Sequence, residues 1–513
     1  MVDAADPVVC RNAEPETEVV RTGREKAVPI YTVSAYPSFI TTVWRSAMAK
    51  KVVIVGGGVA GIFVLRYLLE RKDQVPEGLE VTLIKREKSG WLSTCGLPFA
   101  LRGWYGIEKT EISTAKAYID QGLDFRAENE VTELNVAENK VVLKTGETLY
   151  YDYLVIATGR KQAVKETKLD GVFVFNNEDD AVKIEAALQS RGVKTAFIRG
   201  RGIIGLQSAA AFAARGIKTT VLGGPPSLLP ASLDPDMGDI VKERMEKAGI
   251  RCILDRREIT AIHGKEGWVR SVEIGGAEAK KEEIPADIVI IGKWMVPEND
   301  LAAAAGLELG ESGGIVTDRS MHVKKRGRSL SNVYAVGDCA EVIDGITHRP
   351  KLNQMASTAV VQAKVIADNI LSDLKIQPGL YSACDYCLSP TVADVGGILM
   401  GSVGVTTAAA ARAGLKTISG KATKLIKARY FPGATSLTLK LIFDAFSKKL
   451  LGAQLIGEAT VAERVNELAL AIRAGMTAYE LRNIERAFDP SLSQLVDVTI
   501  DAAENALKSA GKA

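Results

Sequence analysis

Three short stretches hold the residue types with the most evident chemistry: the thiol in WLSTCGLPFA (Cys95) and the two glycine turns GGGVAG and GRGIIG. A thiolate is a nucleophile and a carrier of two electrons when its pKa is lowered. A helix beginning near Gly96 would present its positive end to Cys95 for that purpose. The ordinary fate of an intracellular cysteine is a small buried side chain, so its surroundings must decide. Gly56, Gly58 and Gly61, and again Gly200, Gly202 and Gly205, have the spacing that lets backbone approach a pyrophosphate lying at a helix N-terminus. One such match is weak; two in one chain point to two dinucleotide sites.

The flanking elements supply what each turn needs. KVVIV precedes the first and IFVLRYLLERK follows it, with LEVTLI as a returning strand; TAFIR, an alanine-rich helix to Arg215 and IKTTVL frame the second. Each is one βαβ unit. Two more apolar strands end in small-residue turns, YDYLVIATGR at 151–160 and NVYAVGDCAE at 332–341. After Pro378 the pattern changes to alternating strands and helices. The expected fold is α/β, with two doubly wound dinucleotide-binding domains and an α+β C-terminal domain.

With four motifs in this order, residues 50 to 500 resemble the pyridine nucleotide-disulfide oxidoreductase family. The resemblance implies FAD and NADH or NADPH as cofactors and a glutathione-reductase-like architecture. It divides the chain into an FAD-binding domain (50–165 and 300–377), an inserted NAD(P)-binding domain (166–299) and a dimerisation domain (378–513). It implies that Ala157, Thr158 and Gly159 lie against the flavin nucleotide, that Gly337 and Asp338 meet its ribityl and phosphate region, and that Val131 and Gly292 also contact cofactor. Both units depart from the pattern where a carboxylate should read the adenosine ribose: Lys85 and Gly223 stand there. Glu87 is a substitute in the first unit; nothing obvious substitutes in the second, and no arginine is evident for a 2′-phosphate.

The lone Cys95, without a second cysteine five residues on, is similar to the branch containing coenzyme A-disulfide reductase, NADH oxidase and NADH-dependent sulfur or persulfide reductase. That branch implies a small disulfide, persulfide or polysulfide substrate, a homodimer, and a role for Tyr430 at the partner's active site. A second tyrosine of the branch is missing near Ile398, which puts coenzyme A in doubt. No histidine follows His348, so proton delivery falls to tyrosine, water or substrate thiol. Cys252 and Cys339 read as core residues. Cys384 and Cys387 leave two readings, a dithiol relay or an incidental pair; a metal site is not expected, because His263, His322 and His348 offer no paired spacing. Two alternative functions remain open: an NADH oxidase or peroxidase working through a Cys95 sulfenic acid, and a flavin-bearing electron-transfer or structural subunit.

Composition narrows the partners. Lys+Arg 65 against Asp+Glu 62 leaves a charge of +3, too small and dispersed to argue for nucleic acid or an anionic membrane. Six scattered cysteines in 513 residues do not form a disulfide framework, and the start MVDAADPVVC is acidic where a secretory signal is basic. A cytoplasmic enzyme is expected. Residues 1–49, which include Cys10, read as an N-terminal extension without periodicity, with Met48 as an alternative start.

Overall fold

KKVVIV contains no turn residue, and its last four side chains are all buried; it forms β1, Lys50–Val55, inside a six-stranded sheet. The architecture comes from a computed structural model that describes residues 49–511 except 76–77, 164–168, 277–278, 293–294 and 375–380. The expected N-terminal extension and the boundary at Pro378 lie outside the described residues. The glycine turn leads from β1 into α1, Val59–Leu69, and back through β2, Leu79–Ile84, which pairs parallel with β1. On the other side of β1 lies Tyr153–Ile156, followed by Arg328–Ala335, both parallel; Asp124–Arg126 and the antiparallel His322–Lys325 form the edges. Burial on both faces explains why these strands read as continuous apolar runs rather than alternating ones. Side chains such as Val52, Ile54, Leu83 and Val155 are essentially inaccessible, each contributing about 1.5–3 kcal/mol of transfer free energy.

The second unit repeats the arrangement. β3, Thr195–Arg199, leads into α2, Ile203–Ala214, and then β4, Lys218–Leu222, within a five-stranded sheet ordered Val172–Val174, Ile288–Ile291, β3, β4, Arg251–Ile253, parallel throughout. All its strands fall in sequence between Tyr153–Ile156 and His322–Lys325 of the first sheet. The chain leaves and returns through Arg160–Gln162 and Met295–Pro297, which pair antiparallel.

The C-terminal part is a five-stranded antiparallel sheet, Thr391–Asp394, Leu399–Gly404, Leu450–Gly457, Ser436–Asp444 and Thr417–Leu425 in spatial order. Helices Val461–Arg473 and Val498–Ala510 bury apolar stripes on it. Between Ser436–Asp444 and Leu450–Gly457 the chain turns at Ser447 and Lys448: the Asp444 carboxylate accepts amide hydrogen bonds from Phe446 (3.1 Å) and Ser447 (2.7 Å), and Lys448 takes φ 60°. Among the described residues no helix is long and apolar enough to cross a membrane.

Candidate active site

The carboxyl ends of β1, β2 and Tyr153–Ile156 open together, and between them lies a cleft of about 500 Å³. Its floor is the first glycine turn. Gly56 has φ 116°, and a Cβ there would meet the Ala157 carbonyl oxygen at 2.1 Å; a Cβ on Gly61 would meet the Gly56 carbonyl oxygen at 2.0 Å. Both glycines are fixed by close backbone approach. Gly58 differs: a Cβ there would meet nothing within 4 Å, so the space over the start of α1 is open. That helix has neither a side-chain cap nor an acidic residue in its first turn. A bare helix N-terminus facing a cavity is fitted to a pyrophosphate, whose charge its free amides and dipole stabilise.

Gly56, Gly58, Lys85, Glu87, Val131, Ala157, Thr158, Gly159, Gly337 and Asp338 all line this cleft, whereas Gly61 packs behind it. Burial pushes the Asp338 carboxyl upward while the Arg160 guanidinium, 3.5 Å away, pulls it back. Lys85 is 7% exposed; its stem would lie 2.6 Å from a Cβ on Gly57, and its Nζ donates to the Gly90 carbonyl at 3.0 Å. Burial lowers its pKa, against the raising pull of Glu87, whose carboxylate is 3.9 Å from Nζ. The first cleft therefore has a lysine under its glycine turn and a carboxylate two residues on at the rim.

Sequence reasoning missed Arg160, Glu298 and the Asn176–Glu178 stretch, which also line the cleft. Thr158 Oγ1 donates to the Glu298 carbonyl at 2.5 Å, and the Glu298 amide donates to the Gly159 carbonyl at 2.9 Å. Arg160 follows the ATG turn directly and had a local signal. Glu298 is 140 residues from Thr158 and had none.

Cys95 is exposed, in a 3-10 turn (Thr94–Gly96) that runs into the short helix Leu97–Leu101. Cys95 is not itself among the residues that line the cleft; its neighbours Leu92 and Thr94 are. Tyr105 holds the turn by donating from its hydroxyl to the Gly96 carbonyl at 3.0 Å. The other described thiols are less available. Cys339 is fully buried with its pKa raised by burial, and Cys252, half-buried, is pushed up to about 12.

The second glycine turn copies the first. A Cβ on Gly200 would meet the Gly292 carbonyl oxygen at 2.7 Å, one on Gly205 would meet Gly200 oxygen at 2.6 Å, and one on Gly202 would meet nothing within 4 Å. Gly202 starts α2 without a side-chain cap. These residues and Gly223 gather at the carboxyl end of the second sheet, outside the first cleft. The sequence offered no arginine ready for a 2′-phosphate here; in the structure Arg201, inside the turn, reaches across to the loop after β4 and donates to the Pro225 and Ser227 carbonyls.

Residues 50–361 match the family described as pyridine nucleotide-disulphide oxidoreductase, and residues 395–498 match the dimerisation domain of the same family. The chain belongs to that family. It is 32% identical to an NADH oxidase of Methanocaldococcus jannaschii, over 89% of this chain and 99% of the relative. It is 29% identical to an NAD(P)H coenzyme A polysulfide/persulfide reductase of Pyrococcus horikoshii, over 88% and 97%. The structure of an NAD-dependent persulfide reductase from A. fulgidus superposes with TM-score 0.82 at 28% identity, covering 90% of this chain and 84% of that one. As a pyridine nucleotide-disulphide oxidoreductase the protein is an enzyme, and its cofactors are FAD and NAD(P)H.

Within the oxidoreductase, Tyr430 does not line the first cleft; it lies in the loop between Thr417–Leu425 and Ser436–Asp444, is 74% exposed, and its ring contacts Phe431 at 5.0 Å between centroids. Ile398, in the place of the missing tyrosine, is buried at 8% among apolar side chains that include α2 and β4 of the second unit. Cys384 and Cys387 do not line the cleft. Burial raises the Cys384 thiol to about 11, and buried Cys387 accepts from Asn353 Nδ2 at 2.7 Å.

Proposed function

We propose that this enzyme is an FAD-containing, NAD(P)H-dependent reductase of a small disulfide, persulfide or polysulfide, with Cys95 as its single redox thiol. The observation that carries this reading is an exposed cysteine at the edge of the glycine-floored cleft, between cleft-lining Leu92 and Thr94 and a helix start. The functions named for the Pyrococcus and A. fulgidus relatives support the sulfur substrate.

Gly56 and Gly58 would hold the FAD pyrophosphate at α1; Gly61 keeps that turn closed. Lys85, Glu87, Val131, Ala157, Thr158, Gly159, Gly337 and Asp338 would line the rest of the nucleotide, with Arg160 fixing Asp338. Gly200, Gly202, Gly205, Gly223 and Gly292 would shape the nicotinamide nucleotide site. Cys95 thiolate attacks one sulfur of R–S–S–R′, forming Cys95–S–S–R and releasing R′–S⁻, which takes a proton from water. Bound FAD supplies the two electrons, drawn from NAD(P)H, that reopen this disulfide and free R–SH. Exposure of Cys95 leaves its sulfur open to substrates delivered from solvent. Tyr430 would serve as a proton donor across a homodimer, in the branch's manner. The three sheets would correspond to FAD-binding, NAD(P)-binding and dimerisation domains.

Cys95→Ser is expected to abolish reduction of disulfides and persulfides while the purified protein stays yellow. Retained turnover in that variant would refute the assignment. The identity to the Methanocaldococcus enzyme supports a second reading, NADH oxidation by oxygen through a Cys95 sulfenic acid. Oxygen consumption without added sulfur substrate distinguishes it.

A further inference from the structure

We infer that Arg201 reads the 2′-phosphate of NADPH, making NADPH rather than NADH the preferred reductant; this rests on the reading that the second sheet takes the nicotinamide nucleotide. In a doubly wound sheet the adenosine ribose lies at the end of the second strand, here β4, where a carboxylate bonding the 2′- and 3′-hydroxyls marks NADH enzymes and a cation marks NADPH enzymes. Gly223 occupies that position. A Cβ on it would lie 2.8 Å from Leu254 Cδ2, 2.9 Å from Arg201 Cβ and 3.2 Å from Arg201 Cδ. Any side chain at 223, a carboxylate included, would collide with Leu254 and with the arginine as it stands.

The arginine is anchored through one nitrogen. Nη1 donates to the carbonyls of Gly224, Pro225 (2.5 Å) and Ser227 (3.2 Å), and the Leu229 amide donates to the Arg201 carbonyl at 3.0 Å. Nε and Nη2, the pair that forms a bidentate fork with a phosphate, have no hydrogen-bond partner among the described residues. No carboxylate lies within ion-pair distance of Arg201 among those residues. Burial and the neighbouring Arg199 both lower its pKa, and Arg199 is itself tied to the Leu222 carbonyl and to Glu258. A half-buried guanidinium beside a second one, fixed by neutral carbonyls with its fork open, is a receptor for a dianionic group.

Calorimetry on the FAD-loaded enzyme with 2′,5′-ADP and 5′-AMP tests this without turnover. The expected result is 2′,5′-ADP binding at least about 10-fold tighter, the difference shrinking as salt is raised. Arg201→Ala should remove most of that difference and raise the KM for NADPH on the order of 10- to 100-fold. Arg201→Lys, which keeps charge but not the fork, should fall between. Because Arg201 also braces a loop, flavin content and circular dichroism accompany each variant, and the wild-type comparison stands independently of them. Equal affinity of the wild type for the two nucleotides, or a preference that survives Arg201→Ala in folded protein, overturns the inference while leaving the sheet as a nucleotide site. Failure of both nucleotides and both reduced cofactors to bind overturns the placement itself, and the inference with it.

Discussion

At the scale of single residues, two glycines of one motif do different physical work. Gly56 is required by the backbone: φ 116° and a Cβ 2.1 Å from a carbonyl oxygen cannot be relieved by moving a side chain. Gly58, extended at φ −75°, tolerates a methyl in the protein itself, but that methyl would stand over the helix start where a pyrophosphate belongs. Gly56→Ala is therefore expected to lower the Tm of the apoprotein and lose flavin together. Gly58→Ala should lose flavin, read from the visible absorbance at purification, while the apoprotein Tm stays within a few degrees. Equal destabilisation by both would show that the turn is held by packing alone. The same contrast applies to Gly200 and Gly202 in the second unit.

At the scale of elements, the C-terminal helix Val498–Ala510 begins on a buried ion pair. Asp497 caps it by accepting the Thr499 amide and takes Arg464 in two hydrogen bonds of 3.0 and 2.6 Å. Burial works to raise this carboxyl, but the Arg464 bonds and charge outweigh it and hold it at about 2. A folded pKa depressed below the unfolded value of 3.8 gives stability that is present above pH 4 and lost as pH falls toward 2. The linked free energy is roughly 2 kcal/mol. Asp497→Asn should lose about that much at pH 7 in urea unfolding, and its acid limb between pH 4 and 2 should flatten. An unchanged acid limb would assign the shift elsewhere.

At the scale of the whole molecule, the dimerisation domain has an apolar surface that its own fold does not cover. Tyr430, Leu492 and Leu495 are 74%, 76% and 73% exposed. Their segments are tied together, since the Ala428 amide donates to the Pro490 carbonyl at 3.0 Å and Gln494 Nε2 to the Lys427 carbonyl at 2.5 Å. Such a patch in a family with this domain is expected to pair with a second copy. Leu492→Asp with Leu495→Asp should convert a dimer to monomer in light scattering and cut sulfur reductase activity with Tyr430 displaced. A monomeric wild type would remove both the patch's assignment and the proposed part of Tyr430.

Local sequence determined a good deal of this protein. The glycine turns and the strands and helices around them were legible because steric demands and apolar runs act over a few residues, and their order was enough for the family. Cys95 was legible as a thiol before a helix start. Tertiary structure decided what depends on residues far apart in the chain. Glu298 closes against Thr158 across 140 positions, Ile398 is buried in the apolar cluster of the second unit, and Arg201 with Leu254 fills the space beside Gly223. A side chain's rotamer and its distant neighbours are set by packing between elements, and no spacing rule within one segment carries that information.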